Sequence, residues 1–488
     1  MTMQKLPITL YRRDQVRELD QRAIQQANIS GIELMSRAGH EVFQCLKNKW
    51  PAVKSIAVFC GAGNNAGDGF IVAKLALDAG LSVTVYSLTD SQTIKGDVLI
   101  AYQNYVDAHG VIIPFQDKGL IDVDVIVDAL LGIGLDRPVT DLYALAIQTI
   151  NKSIARVIAV DNPSGLNADT GHVMGFAVKA DCTVTFIGLK QGLFTGNAAN
   201  YCGEISYASL GVPDSIFGGN SPSASRVIKK PLPIRDRCSH KGNYGHVLIV
   251  GGDFGYSGAV KMAGEAALRV GTGLVSIATR KEHAGLLNLN RPELMCHGVE
   301  GAEQLLGLMA KASVIVIGPG LGQSDWSKEL FMVTINAQKP LIIDADALNL
   351  LALAPFTNTN WILTPHPGEA ARLLNCSTLD IQQDRFASAS ALQDKYKGIV
   401  ILKGSGTLIT SENDCAVSTT GNPGMASGGM GDVLTGIIAG FVAQGLTLRE
   451  SAQQGVYVHG EAADLAAKEG ERGLLASDLM PYLRQVVN

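Results

Sequence analysis

Two glycine-rich stretches of this chain hold residues that could act on a phosphorylated ligand. The longer is Gly421-Asn422-Pro423-Gly424-Met425-Ala426-Ser427-Gly428-Gly429-Met430-Gly431-Asp432, followed by the apolar run Val433–Ile438, which reads as the start of a buried helix. Glycines let backbone N–H groups point together at an anion, and a helix N-terminus adds its dipole. An Asp at that place can take a proton from a hydroxyl while the amides hold the phosphate being transferred. The stretch therefore suggests nucleotide-dependent chemistry on a hydroxyl group. Read alone, it is matched by a tight turn whose Asp432 caps the next helix.

The shorter stretch is Cys60-Gly61-Ala62-Gly63-Asn64-Asn65-Ala66-Gly67-Asp68-Gly69, between a strand-like and a helical run. That is where a dinucleotide loop sits in a Rossmann-like unit, but the Asn pair and Asp68 do not belong to the usual fingerprint. Two more loops, Asp128–Pro138 and Asp161–Leu166, each open with an Asp directly after a Val/Ile run. In a parallel sheet such positions gather at the carboxyl edge, where ligands bind. Asn65, Asp128 and Ser164 could converge there as oxygen ligands for a hard cation, leaving Asp161 as base or acid. Taken singly each Asp reads as a helix cap; taken together the three loops favour a site.

Further along, Lys241–His246, Gly251-Gly252-Asp253, Ser257-Gly258-Ala259, Gly318–Gly322, Asp344–Asn349, Thr364–Glu369 and Lys403–Thr407 are polar or glycine-rich segments beside expected strands. All could face one cleft. Lys403, Gly404, Ser405, Gly406 and Thr407 can wrap a diphosphate with amides, one cation and one hydroxyl, although the order is not that of a Walker A loop. His366, between two prolines, is expected to be rigid, as a ligand contact or a structural residue. Asp344 and Asp346 read as helix caps rather than as Mg²⁺ ligands acting through water.

These loops need α/β scaffolds. Strand-like runs occur at Ser55–Cys60, Ser82–Ser87, Val123–Ala129, Arg156–Val160 and Cys182–Phe186 in the first half. The second half repeats the alternation at His246–Gly251, Gly273–Thr279, Val314–Ile317, Leu341–Asp344, Trp361–Leu363, Ile399–Leu402 and Thr407–Ile409. Their continuous Val/Ile content predicts parallel sheets covered on both faces. Asp14–Trp50 is helical in period, with Leu34, Ala38, Val42 and Leu46 on one face. Gly218–Pro233 turns to Gly, Ser, Pro and basic residues and is the best linker, so residues 1–218 and 226–488 are the expected domains. A chain of 488 residues is long enough for two or three cores. The net charge of −5 and the absence of a basic block argue against nucleic acid as the main partner. Eight scattered cysteines without a C-x-x-C pair fit buried reduced thiols rather than disulfides or zinc. No apolar run reaches the ~20 residues of a membrane span and no signal core opens the chain, so a cytoplasmic location is expected.

Gly63–Gly69 and Asp161-Asn162-Pro163-Ser164-Gly165-Leu166 resemble the signature of NAD(P)H-hydrate epimerases over roughly Gln15–Val212. The ordered motifs from Lys241 to Val487 resemble those of the ribokinase-like, ADP-dependent NAD(P)H-hydrate dehydratases. The fusion is similar to the bifunctional bacterial repair enzymes for hydrated NADH and NADPH. The resemblance implies a Rossmann-like three-layer domain followed by a ribokinase-like α/β domain. It implies that Asn64, Asn65, Gly67, Asp68, Gly132, Ile133, Gly134, Leu135, Asp136, Arg137, Pro138 and Asp161 contact the hydrate in the first half. A potassium ion would sit on Asn65, Asp128 and Ser164. In the second half Gly258 or Ala259, Gly322, His366 and Asp432 would contact the hydrate, and Lys403–Thr407 with Gly431 the adenine nucleotide. ADP would be co-substrate, with Mg²⁺ and with AMP and phosphate released; Asp432 and Asp161 would be catalytic, and the protein a homo-oligomer. Two departures stand out: Ala66 replaces the usual Gly, harmless only at negative φ, and Asn162 replaces an aliphatic residue. Two other functions remain open at this stage. One is a kinase for a small hydroxymethyl compound; the other makes the first half a non-catalytic nucleotide-sensing or partner-binding module.

Overall fold

Strands that are apolar on both faces must be covered on both, and the chain achieves this twice. The computed structural model describes residues 5–116, 119 and 121–488. One compact unit ends at Ser225; the other is Arg226–Asn488. The first is built on β1 (Ser55–Cys60), β2 (Ser82–Ser87), β3 (Val111–Pro114), β4 (Val125–Ala129), β5 (Arg156–Val160), β6 (Cys182–Phe186) and β7 (Glu204–Ala208). The order β3-β2-β1-β4-β5-β6-β7 is parallel throughout. Strand order reverses between β1 and β4, which opens a crevice at their carboxyl ends. The second sheet has β8 (His246–Val250), β9 (Leu274–Thr279), β10 (Met295–Gly298), β11 (Val314–Ile317), β12 (Leu341–Ile343), β13 (Trp361–Leu363), β14 (Ile399–Leu402), β15 (Leu408–Ser411) and β16 (Asp414–Val417). Its order is β10-β9-β8-β11-β12-β13-β14-β15-β16, with only the last two strands joined antiparallel. The switch falls between β8 and β11.

The α/β class expected from the Val/Ile runs is therefore present in both units. Of the numbered strands, β3, β7, β10 and β16 escaped the sequence reading, as did the short strands Thr9–Tyr11, Leu189–Lys190 and Ala224–Arg226. Three of them, β3, β7 and β10, lie at sheet edges or next to solvent and bury little, so they lack a continuous apolar run. The helical stretch expected over Asp14–Trp50 is two helices, α1 (Arg13–Gln26) and α2 (Gly31–Lys49). Asn28 takes a left-handed φ of 53°, and Ser30 Oγ caps α2 by accepting from the Glu33 amide at 3.3 Å. Leu34, Ala38, Val42 and Leu46 are buried along α2, as their spacing predicts.

The segment expected as a linker is divided between the units. Asn220 is buried and exchanges hydrogen bonds with Gln15, while Ala224 and Ser225 pair with Leu10 and Thr9. Beyond them, Val227 donates to Val417 O and Lys230 to Gln454 Oε1 within the second unit. Among the described residues no helix is long and apolar enough to cross a membrane, and none of the eight cysteines forms a disulfide.

Glycines set how closely helices seat. α3 (Asn64–Asp78) approaches β4 so tightly that a Cβ on Gly69 would lie 2.6 Å from Ala129 Cβ. In the second unit α8 is introduced by four further helices: α4 (Ser257–Arg269), α5 (Ala345–Leu353), α6 (Pro367–Leu374) and α7 (Arg385–Tyr396). α8 (Met430–Ala443) crosses α4 at backbone distance, and a Cβ on Gly436 would fall 2.0 Å from Ala263 O. Behind them runs α9 (Leu448–Ala466). Gly436→Ala must push α8 off α4, and should destabilise the second unit by about 2 kcal/mol. Urea unfolding followed through Trp326 and Trp361 tests this; an unchanged midpoint would show that the two helices slide apart without strain.

Candidate functional sites

In the first unit a cavity of about 1200 Å³ opens at the carboxyl edge beside the switch point. Asn64, Asn65, Asp68, Gly132–Pro138 and Asp161 all line it. The expected glycine loop is shorter than the sequence suggested: the helix begins at Asn64, capped by Gly63, so the Asn pair and Asp68 occupy the first turns of α3. Helix amides and the helix dipole thus face the cavity. Ala66 is helical and absent from the positive-φ residues, so it carries no strain. Gly67 is turned into the α2–α3 contact, where a Cβ would meet Met35 Sδ at 2.3 Å. Asn162 is buried and donates to Pro163 O and Leu166 O, tying its own loop together.

Asp128 and Ser164 meet beneath the cavity. Asp128 Oδ1 accepts from Ser164 Oγ at 2.6 Å and Oδ2 from the Ser164 amide at 2.8 Å. Both residues are fully buried. Burial pushes the Asp128 carboxyl up to about 6, and only neutral donors, Ser164 and the Leu130 amide, oppose it. Gly132 brings the third member close: a Cβ there would sit 3.6 Å from Asn65 Oδ1. The Asn65 Nδ2 atom is buried without a partner.

Asp161 follows β5 in a left-handed conformation, φ 66°, which aims its carboxylate into the cavity wall. Its Oδ1 accepts from Lys190 Nζ, from Thr185 Oγ1 at 3.2 Å and from the Phe186 amide at 3.3 Å. Lys190 is 1% exposed and also donates to Thr185 Oγ1 and Phe186 O. Two more carboxylates face this pair. Asp20, on α1, is lifted to about 6 by burial, with Lys190 pulling down and Asp161 pushing up. Asp68 is held well above the carboxylate range by burial and by Asp161 and Asp20, against Lys190. Asp20 and Lys190 escaped the sequence reading. The available signal was a lone lysine in the apolar run Phe186-Ile187-Gly188-Leu189-Lys190; a charge there has to be paired.

In the second unit the strand-end loops converge on Asp344. This residue precedes α5 but makes no side-chain cap, contrary to the capping role expected from sequence. Its carboxylate instead accepts from Lys403 Nζ at 3.0 Å, Thr364 Oγ1 at 2.7 Å and Thr435 Oγ1 at 2.8 Å. It thereby joins the ends of β12, β13 and β14 to α8. Burial alone would raise its pKa, but Lys403 and the two hydroxyls win and hold it below the ordinary value. Asp346 is likewise no cap: it accepts from the Gly322 amide at 2.9 Å and from Asn349.

Asp432 lies in the first turn of α8, after Gly429 at φ 90°. Burial, then Asp344, raise its carboxyl to about 7 against the pull of Lys403, with Asp346 and Glu369 adding to the rise. A Cβ on Gly431 would lie 3.3 Å from Lys403 Nζ, so α8 and the Lys403–Thr407 loop adjoin. The Lys403 ammonium is turned inward to Asp344 and, at 3.8 Å, to Glu369. The loop's outward offer is thus its backbone, shaped by positive φ at Gly404 and Gly406. Beneath it the buried Arg385 of α7, unmarked in the sequence reading, donates to Leu402 O and Lys403 O. His366 caps α6: its Nδ1 accepts from the Gly368 amide at 3.0 Å and the Glu369 amide at 3.3 Å. Burial and Lys403 lower its pKa, so the ring is neutral near pH 7 and its proton sits on Nε2, half-exposed. Gly258 and Ala259 open α4, and nothing lies within 4 Å of a Cβ built on Gly258. Gly320 packs against Tyr256 O, so α4 and the Gly318–Gly322 loop are neighbours as well.

The comparisons with known proteins agree with this division. Residues 247–485 match the NAD(P)H-hydrate dehydratase family model and residues 31–192 the model of the YjeF-related protein N-terminus. The chain is similar to the bifunctional NAD(P)H-hydrate repair enzyme Nnr of Coxiella burnetii, 50% identical over 98% of this chain and 99% of that protein. It is 42% identical to the enzyme of the same name from Escherichia coli, over 100% of this chain and 96% of that one. A crystal structure of the ADP/ATP-dependent NAD(P)H-hydrate dehydratase of Bacillus subtilis is 33% identical, covering 52% of this chain and 93% of its own at a TM-score of 0.48. With relatives of this identity aligned from end to end, the chain belongs to the family of bifunctional NAD(P)H-hydrate repair enzymes.

Proposed function

We propose that the second unit returns hydrated NADH and NADPH to the reduced cofactor at the expense of ADP, and that the first unit interconverts the R and S hydrates. The observation that carries the dehydratase reading is Asp432: a carboxyl near neutrality on the first turn of α8, beside Gly431, Lys403 and Asp344. Asp432 takes the proton of the ring hydroxyl, whose oxygen attacks the terminal phosphorus of ADP. The bond to the bridging oxygen breaks and AMP leaves. The phosphate on the carbinolamine carbon then departs with its bonding pair, the ring nitrogen supplies the electrons for a C=N bond, and loss of a neighbouring ring proton restores NAD(P)H. Backbone amides of Gly428–Gly431 and of Lys403–Thr407 face the phosphates. His366, Gly322 and Gly258–Ala259 hold the hydrate.

Asp344 and Lys403 act as positioning residues, since each is satisfied by the other. Mg²⁺ would ride on the diphosphate rather than in a protein cage: among the described residues no group of three His, Cys, Asp or Glu could hold a metal ion. In the first unit the donor set fits potassium. Asp128 is buried with neutral partners only, and Asn65 presents an unpaired buried amide whose oxygen and nitrogen are interchangeable by a flip. Asn65, Asp128 and Ser164 would hold the ion, which would neutralise Asp128 and brace the Gly132–Pro138 wall. Asp161, fixed by Lys190, serves the hydrate directly.

Asp432→Asn should abolish the return of NADH absorbance from mixed hydrates with ADP and Mg²⁺, by about 10³-fold or more, while leaving thermal unfolding unchanged. In the wild type the same rate should fall as pH drops through about 7, because Asp432 must be unprotonated to act as base; a flat profile from pH 5.5 to 8 would remove it from that role. A stable phosphoester instead of NADH would point to a small-alcohol kinase. Replacing potassium with tetramethylammonium should slow epimerisation and spare dehydration, and equal effects on both would argue against a potassium site in the first unit. Lys190→Met leaves Asp161, half-buried in the cavity wall, without its cation and should cost about 2–3 kcal/mol, read by urea unfolding. Adding Asp161→Asn should recover stability but not epimerisation; recovered turnover would show that the pair is structural only.

A further inference from the structure

The first-unit cavity holds more carboxylates than the binding of a neutral ring requires. Asp20, Asp68, Asp161 and Lys190 share its lining. Lys190 is the buried cation among them, and its ion pair goes to Asp161. The Oδ1 atom of Asp161 already accepts from three donors, Lys190, Thr185 and the Phe186 amide. Asp161 is thereby committed as an acceptor. Asp20 is partly buried on α1 and makes no hydrogen bond or ion pair with a described residue. Neighbouring ionisable groups are Lys190 and Asp161 from the β5 and β6 side, Asp68 from α3 and Arg17 from its own helix. Burial, with Asp161 adding and Lys190 opposing, lifts Asp20 to about 6, so its carboxyl can both hold and release a proton just below neutrality. It is poised to give that proton to something in the cavity.

Accepting the epimerase reading of this unit, we infer that Asp20 is its general acid and that epimerisation proceeds by loss and return of water. The Asp20 carboxyl donates its proton to the ring hydroxyl. The carbon–oxygen bond breaks with its pair going to oxygen, water is released, and the ring nitrogen's lone pair closes a C=N bond. The resulting planar cation faces the Asp20 carboxylate left by the proton transfer, beside the Asp161–Lys190 pair, and this newly formed negative charge favours it. Water then adds to either face of the carbon and returns a proton to Asp20. Atoms and charge balance, and no co-reactant is consumed. A cavity of about 1200 Å³ leaves room for water beside the ring. The alternative, in which the ring opens to an aldehyde and recloses, would take the hydroxyl proton to a base and deliver a proton to the nitrogen, and it breaks no carbon–oxygen bond.

The test uses the full chain without ADP, so that dehydration is silent, and pure R hydrate of NADH in ¹⁸O-water, with both epimers separated and weighed by mass spectrometry. After subtraction of the spontaneous reaction, each inversion catalysed by the wild type should bring in one solvent oxygen. Asp20→Asn should slow catalysed inversion about 100-fold or more, with Asp20→Glu recovering part of it. The dehydratase rate of the same preparations, assayed with ADP on S hydrate, should stay within twofold of wild type, which reports an intact chain. Inversion without label would overturn the dehydrative route, and Asp20→Asn at the wild-type rate would overturn the role of Asp20. A wild type that inverts nothing would instead overturn the epimerase reading of the unit, and the inference with it.

Discussion

A lysine taken out of water must find a carboxylate, and this constraint organises both units. Lys190 and Lys403 are each held inside their unit by an aspartate that follows a strand of the sheet, Asp161 and Asp344. A buried pair of this kind adds little net stability, because desolvation offsets most of the attraction. What it does supply is position. Asp344 cannot accept from Lys403, Thr364 and Thr435 at once unless three strand ends and α8 are in register. The same demand on Asp161 fixes the end of β6 against the end of β5. Other carboxyls gathered around each lysine are raised chiefly by burial, with the paired aspartate adding and the lysine only partly offsetting it, which lifts Asp20 to about 6 and Glu369 and Asp432 to about 7. The reactive protons are thus a by-product of how the scaffold buries and pairs its charges.

Around these pairs the glycines divide into two kinds. Some shape backbone toward the cleft: Gly404, Gly406 and Gly429 have positive φ beside the segments proposed to hold phosphate. Others never face it. Gly67 and Gly69 let α3 close on α2 and β4, and Gly436 lets α8 close on α4. Helix N-termini reach the carboxyl edge only because their bodies sit so close to the sheet and to one another. A motif rich in glycine therefore mixes ligand contact with packing, and residue type alone does not separate the two.

That mixture explains what was legible in the chain. The central strands were, because burial on both faces leaves an unbroken Val/Ile run. The site loops were, because strand-end Asp and Gly residues cluster at recognisable places. Asp344 was noticed but misread: a helix cap and a buried ion-pair centre look alike until Lys403, 59 positions further along the chain, is brought to it. Asp20, Lys190 and Arg385 were not legible. An acid in an amphipathic helix, a lysine ending a two-residue strand and an arginine at a helix start are each ordinary alone. Only tertiary placement buries them, and burial is what makes them matter. The edge strands were hidden for the opposite reason, since exposure removes the pattern that betrays a strand.

The first unit is closed by its last residues. Ser225 and Ala224 pair with Thr9 and Leu10, and Asn220 clasps Gln15. During synthesis this clasp cannot form until the whole unit has left the ribosome, and it needs no residue beyond Ser225. The clasp thus allows sequential folding, with the amino-terminal unit able to close while the carboxyl-terminal one is still being translated. A gene fragment cut at residue 218 would sever that lock, whereas one cut after Ser225 would keep it.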